Sequence, residues 1–312
     1  MASMLRKLSG ALILVLIVLN IVFWFIPIMV FAIVRLILPF AAVRRLTSRI
    51  LIACGENWIT VNGILQDVTQ DTQWHVTGVD ALRRNDWYLV LANHQSWVDI
   101  IVLQYALNRK IPFLKFFIKS QLIWVPFLGL AWWAMDMPFM KRYSKSYLKK
   151  HPERKGQDLE STRRSCERFS EVPTSVINFV EGTRFTPEKH ARRQSKYTHL
   201  LPPRAGGIAF ALSVMGEQFS SMLDVTVVYP GGAKSFWELC TRRLKHVIVD
   251  VREIPIEPWM REGDYTNDRE FRARFHQWLA DLWAAKDRRF EELEALHADA
   301  IGSDDKARDE SL

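Results

Sequence analysis

Residues Trp87 to Asp99 read WYLVLANHQSWVD. Trp87 to Ala92 is continuously apolar rather than alternating, the pattern of a strand covered on both faces. Such strands lie inside largely parallel sheets, and their C-terminal ends are where α/β proteins place reactive groups. Asn93 and His94 fall at that end. A histidine takes up a proton near neutral pH when something fixes its ring and tautomer. Asp99, five residues on and across a turn into a helix over 99–107, is placed to accept a hydrogen bond from one ring nitrogen. The other nitrogen is then left as a base. Taken alone, this spacing describes a surface pair or a helix cap at Asp99 equally well. Ser96 reads as a turn or capping residue, with nothing to mark it as a nucleophile.

Further along, Ser175 to Val180 is a second buried strand, and it runs directly into Glu181, Gly182, Thr183 and Arg184. Glycine permits close backbone approach, and arginine offers a two-pronged fork for a phosphate. Trp74–Val79, Leu223–Tyr229 and His246–Val251 read as further strands. Gly156–Ser170 and Gly207–Met215 read as helices, as does a long segment from Asp268 to His297. This last helix lines Phe271, Phe275, Trp278, Leu279, Leu282 and Trp283 along one face, a packing stripe. The alternation predicts an α/β fold: a mixed, largely parallel sheet flanked by helices.

Upstream, Leu8–Val34 carries no charged side chain. As a helix it would reach about 40 Å at 1.5 Å per residue, more than a ~30 Å hydrocarbon core. It is too long, and lacks the cleavage site, for a signal peptide. The fold is therefore expected to carry an N-terminal hydrophobic membrane anchor. Arg6 and Lys7 precede the run, and Arg35, Arg44, Arg45 and Arg49 follow it. The stronger basic flank places the rest of the chain on the cytoplasmic side of the membrane. Pro27 and the apolar stretch Leu36–Val43 leave a single span and a re-entrant hairpin both open. The division expected is an anchor over 1–50, an α/β domain over 51–300 and a charged flexible tail over 301–312. Ile111–Met140 is aromatic and apolar, but Lys115, Lys119, Pro126, Gly129 and Pro138 interrupt it. It reads either as a surface touching lipid or an acyl chain, or as a buried helical hairpin.

Composition narrows the partners. Hydrophobic content of 49% is ordinary and excludes a chain that is polytopic throughout, and a formal charge of +8 favours anionic partners such as lipid headgroups. Twelve tryptophans suit work at a bilayer interface, although aromatics also fill ordinary cores. Cys54, Cys166 and Cys240 are too far apart for a metal-ligand set or a disulfide framework, so no metal is expected. The basic stretches Lys141–Lys155 and Arg184–Lys196 accompany no nucleic-acid motif. They read as solvated faces, and no nucleic-acid partner is expected.

Together the two strand-end blocks resemble the glycerophospholipid acyltransferase family, in its 1-acyl-sn-glycerol-3-phosphate and lysocardiolipin acyltransferase-like branch, bacterial inner-membrane type. That family is marked by a His and an Asp separated by four residues, here His94 and Asp99, and by Glu-Gly-Thr-Arg, here residues 181–184. Pro138–Arg142 loosely matches a middle block ending in arginine, and Val225–Pro230 matches a strand ending in proline. Lys119 resembles a further basic position. Lys141 stands where an aspartate is common, which bears on the acceptor headgroup. The resemblance covers about Gly78 to Pro230. It implies an acyltransferase that moves a fatty acyl group from acyl-CoA or acyl carrier protein to a lysophospholipid hydroxyl. The acceptor implied first is 1-acyl-glycerol-3-phosphate, giving phosphatidic acid; lysocardiolipin and lysophosphatidylglycerol are alternatives, and a lipid-binding surface protein is the non-enzymatic one. His94 would be the base and Asp99 its orienter. Lys119, Arg142, Glu181, Gly182, Thr183 and Arg184 would line the substrate site, with Glu181 organising the basic groups. No cofactor beyond the acyl carrier is implied; the partners are a phospholipid membrane, the acceptor and the donor.

Overall fold

A computed structural model describes residues 2–140 and 172–309. Lys141, Arg142, Cys166, the basic stretch 141–155 and the helix expected over 156–170 lie outside the described residues.

In chain order the described helices are α1 (Ala2–Ile37), α2 (Ala41–Thr69), α3 (Val98–Leu107), α4 (Leu128–Ala134), α5 (Pro187–Arg192), α6 (Ala205–Met215), α7 (Phe236–Cys240), α8 (Pro258–Glu262) and α9 (Arg269–Asp309). The strands are β1 (Gln73–Thr77), β2 (Tyr88–Ala92), β3 (Leu114–Phe116), β4 (Ile118–Lys119), β5 (Phe139–Met140), β6 (Ser175–Phe179), β7 (Ser221–Val228) and β8 (His246–Pro255).

The apolar run ahead of His94 forms β2, which is buried at every position. It lies between β6 and β7, parallel to both, with Ala92 opposite Phe179 and Val225. The full order is β1-β8-β7-β2-β6-β3, in which β7 and β8 form the antiparallel pair. The sheet is thus mixed and largely parallel, and helices cover both of its faces. Leu89 and Leu91 of β2 point to one side, where Ile208 and Leu212 of α6 and Phe275, Leu279 and Trp283 of α9 pack on them. Tyr88, Val90 and Ala92 point to the other, against Val98, Val102 and Leu103 of α3. Burying each such side chain contributes about 1.5–3 kcal/mol. The α9 stripe is packing, as its periodicity implies. That helix also takes in residues 301 to 309 of the expected tail, which contain no proline to stop it.

The N-terminal hydrophobic segment forms α1, long and apolar enough to cross a membrane. It passes through Pro27 and ends before Pro39, which disfavours helix in the residue ahead of it. The helix α2 then runs unbroken through residue 50, because arginine is a good helix former and the basic cluster does not interrupt it. The two helices pack together; Asn20 of α1 donates to Asn62 Oδ1 (2.8 Å) and to the Trp58 carbonyl (3.1 Å). Ile28, Ala32, Leu51, Cys54, Phe113, Ala131 and Met135 form a third core joining this pair to the domain.

Both ends of α1 rest on the domain. Near one end, Arg35 pairs with Asp136 at 2.7 Å and donates to the Ala134 carbonyl. Near the other, Gly10 packs so closely on α7 that an added Cβ would lie 2.7 Å from Thr241 Cγ2. The intervening helix, roughly 38 Å at 1.5 Å per residue, lies along one side of the domain and exposes Leu12, Val15, Leu19, Phe23, Ile26 and Val30.

Ile111–Met140 is no helical hairpin. It forms the short strands β3, β4 and β5, a 3-10 turn over Ser120–Trp124, and α4. Its prolines remove the donors that a long helix would need. Trp124 (85% exposed), Phe127, Leu130 and Trp133 are left on the surface, and Phe127 meets Phe25 of α1 edge-on at 5.2 Å.

Candidate active site

Because β7, β2 and β6 are adjacent and parallel, their C-terminal ends deliver Tyr229, His94 and Glu181 to one edge of the sheet. Asn93 locks the end of β2 in place. Its side chain donates to the Val227 carbonyl and accepts from the Val227 N–H, both at 2.8 Å. The His94 backbone is held on both sides by the second block: its N–H donates to Glu181 Oε1 (2.9 Å), and its carbonyl accepts from the Phe185 N–H (2.7 Å).

The His94 ring lies 2.7 Å from Asp99 Oδ2 through Nδ1 and stacks on Phe179, with centroids 4.0 Å apart. Asp99 is fully buried in the first turn of α3, yet it does not cap that helix. Its Oδ2 accepts the backbone N–H groups of Gln95 (2.6 Å) and Ser96 (2.9 Å), and its Oδ1 accepts the Tyr229 hydroxyl (2.6 Å). A carboxylate with this many donors is fixed in position and orientation. With Nδ1 turned to Asp99, Nε2 has no hydrogen-bond partner among the described residues and is the nitrogen free to take a proton. Ser96 shapes the turn: its hydroxyl accepts the Val98 N–H (3.1 Å) and donates to the Lys234 carbonyl. Burial and the neighbouring Asp99 carboxylate push the Tyr229 hydroxyl well above its ordinary pKa, so it remains a donor.

Glu181 departs from the role expected of it. It is fully buried, and its carboxylate binds backbone, the N–H of His94 and of Leu201 (3.1 Å), rather than organising basic side chains. Burial raises its pKa from 4.5 to about 8, against the lowering by those two hydrogen bonds. The folded chain therefore binds more protons than the unfolded chain between these values. The resulting stabilisation is full below about 4.5 and is lost as pH rises through about 8. Glu181→Gln removes this titration. Denaturation midpoints of the variant are expected to gain on the wild type as pH rises across that window, and a constant difference would refute the assignment.

Gly182 has φ +66°, a left-handed conformation suited to glycine, and its N–H closes a tight turn onto the Phe179 carbonyl (2.9 Å). The Thr183 hydroxyl accepts from Lys189 Nζ (3.0 Å), which also donates to the Arg184 carbonyl (2.8 Å). The Arg184 guanidinium lies over the Trp97 ring, 4.5 Å from its centroid. The structure thus gathers His94, Asp99 and residues 181–184. Lys119 is exposed on β4, in a separate two-stranded sheet with β5. The motifs gave no role to Tyr229, Phe179 or Lys189, and they included Asn93 without assigning it one. Tyr229 was discoverable in principle, as a polar-tipped residue ending a buried strand. Among the described residues no cluster of His, Cys, Asp and Glu is arranged to hold a metal.

Three parallel strand ends thus bring a carboxylate-held histidine beside the Glu-Gly-Thr-Arg turn. A model of the Acyltransferase family matches residues 73–230, slightly more than half of the chain, and the chain belongs to that family. It is 24% identical over 213 residues to 1-acyl-sn-glycerol-3-phosphate acyltransferase delta of Homo sapiens, covering 64% of this chain and 51% of that protein. It is 26% identical over 215 residues to the gamma form of Pongo abelii, with the same coverage. The chain spans about half the length of the curated relatives it matches. Among solved structures, the 1-acyl-sn-glycerophosphate acyltransferase PlsC of Thermotoga maritima superposes with a TM-score of 0.53. That alignment covers 95% of this chain and 98% of PlsC at 17% identity, a likeness of fold.

Proposed function

We propose that this protein transfers a fatty acyl group from the thioester of acyl-CoA or acyl carrier protein to the free hydroxyl of a lysophospholipid, with 1-acyl-glycerol-3-phosphate as acceptor and phosphatidic acid as product. The observation that carries this reading is the His94 ring, fixed by Asp99 with Nε2 left unengaged. Nε2 takes the acceptor's hydroxyl proton as the oxygen attacks the thioester carbonyl. Collapse of the tetrahedral intermediate breaks the C–S bond, and the proton passes from His94 to the departing thiolate. Asp99 stabilises the transient imidazolium, and no acyl-enzyme forms. Holding hydroxyl and thioester together contributes further to the rate. The curated relatives' names support the acceptor class.

Arg184, with Arg142 and Lys119, holds anionic groups of the substrates. Arg184→Ala is expected to raise KM for lysophosphatidic acid about 10- to 100-fold, the equivalent of one hydrogen bond to a charged group. KM for monoacylglycerol is expected to stay near wild type; a selective loss with the neutral acceptor would contradict the phosphate role.

The membrane is the source of the acceptor, and the exposed apolar side of α1 supports docking on it, with the domain in the cytoplasm at the inner membrane. The deciding experiment is a mass spectrum of lipid products from the purified full chain, given a panel of lysophospholipids with acyl-CoA and acyl carrier protein donors. Phosphatidic acid as main product supports the reading; absence of any acylated lipid sinks it.

A further inference from the structure

The Glu-Gly-Thr-Arg turn is approached by two arginines that belong to neither strand-end block. Arg204 leads into α6 and donates its backbone N–H to the Val180 carbonyl (2.8 Å). Its side chain lies over Gly182, where an added Cβ would meet Arg204 Cδ at 3.0 Å and Nε at 3.4 Å. Arg193 follows α5 and donates from Nη1 to the Glu181 carbonyl at 3.3 Å.

These two cations are close enough to oppose one another. The Arg193 pKa is lowered, first by burial and then by the charges of Arg204 and Arg192. Glu181, the acidic group acting on Arg193, is fully buried, and its carboxylate is engaged by backbone. The Arg204 side chain has no hydrogen-bond or ion-pair partner among the described residues. Like charges gathered where the one neighbouring carboxylate is turned to backbone attract an anion.

Their place differs from that of Arg184. Arg184 rests on Trp97, which leads into α3 on one face of the sheet. Arg204 leads into α6 on the opposite face. Gly182 lies in the turn between them, and its lack of a side chain leaves room for the Arg204 guanidinium.

We propose that Arg193 and Arg204 form an anion subsite beside Gly182, separate from Arg184, that binds a phosphate group of a substrate. This rests on the acyl-transfer reading. Two sources carry that chemistry: the nucleotide phosphates of an acyl-CoA donor and the headgroup phosphate of a lysophospholipid acceptor. Two separate cationic positions fit a reaction whose donor and acceptor both carry phosphate.

The test uses the purified full chain with Arg193→Gln and Arg204→Gln, and Arg204→Lys as the charge-retaining control. Initial rates are measured with oleoyl-CoA against phosphate-free oleoyl-pantetheine, and with lysophosphatidic acid against monoacylglycerol. The Gln variants are expected to raise KM about tenfold for a phosphate-bearing substrate and less than about twofold for its phosphate-free counterpart, as loss of one charged hydrogen bond implies. Arg204→Lys should recover part of the affinity. An effect confined to oleoyl-CoA assigns the donor, and one confined to lysophosphatidic acid assigns the acceptor. Unchanged KM throughout, or equal losses with phosphate-free substrates, overturns the subsite. Calorimetric binding of coenzyme A and of lysophosphatidic acid reads it without turnover. Arginine-dependent binding by a wild type that transfers no acyl group would keep the subsite and sink the acyl-transfer reading instead.

Discussion

His94→Ala is expected to lower kcat by about 10²- to 10⁴-fold, the usual contribution of a positioned general base. KM should change little, because Nε2 acts on the hydroxyl mainly in the transition state. Asp99→Asn should approach the same loss for a different reason. An asparagine presents one acceptor oxygen, whereas Asp99 serves His94 Nδ1, two backbone N–H groups and the Tyr229 hydroxyl. If its amide N–H₂ faces Nδ1, the imidazole is held in the wrong tautomer, with its proton on Nε2. If it faces Tyr229 instead, the loop N–H groups before α3 keep their acceptor but the charge that balances an imidazolium is gone. Steady-state rates with oleoyl-CoA and lysophosphatidic acid decide the matter. Turnover near wild type in both variants would eliminate His94 as the base.

The largest effect on stability is expected away from the site. Lys286 of α9 is completely buried, with Nζ 2.6 Å from Asp224 Oδ1 and 2.6 Å from the Val225 carbonyl. Asp224 sits in the middle of β7, also buried, and its other oxygen meets Arg252 of β8 at 2.6 Å. Oδ1 makes no well-angled hydrogen bond, so its contact with Lys286 is one of charge. Lys286→Met keeps the volume but leaves Asp224 short of a partner inside the fold. Removing one member of a buried pair costs about 3–5 kcal/mol. Adding Asp224→Leu should return much of that loss, since an apolar pair of similar volume is often as stable as the ion pair. Denaturant titrations of wild type, single and double variants measure this. A double variant no better than Lys286→Met alone would mean that the lysine acts through packing.

Lys286 also illustrates what could not be read along the chain. A lysine within the helix over 268–297 looks like solvated charge, and Asp224 looks like an interruption of an apolar strand. They meet because α9 returns across β7, a contact between residues about sixty positions apart. The same holds for Tyr229: Val225 to Pro230 announced a buried strand, but only the sheet order puts its last residue beside Asp99. Ile111–Met140 resisted local reading because prolines cut its apolar content into pieces whose shape depends on what they pack against.

The sequence by itself determined the centre of the molecule. An unbroken apolar run can only be covered on both faces, so WYLVLA had to lie inside a sheet, and the histidine directly after it had to emerge at the strand's end. The interval from His94 to Asp99 put the two side chains within local reach of each other, and the uncharged length of Leu8–Val34 marks an apolar helix wherever it lies. Tertiary structure decided what depends on distant neighbours. It ran α1 along the domain, turned Glu181 from the arginines to the backbone of His94, and brought Arg193 and Arg204 to one glycine. Periodicity records which face of an element is apolar. Which elements become neighbours follows from strand order and crossovers, and through these a common residue pair becomes a held base.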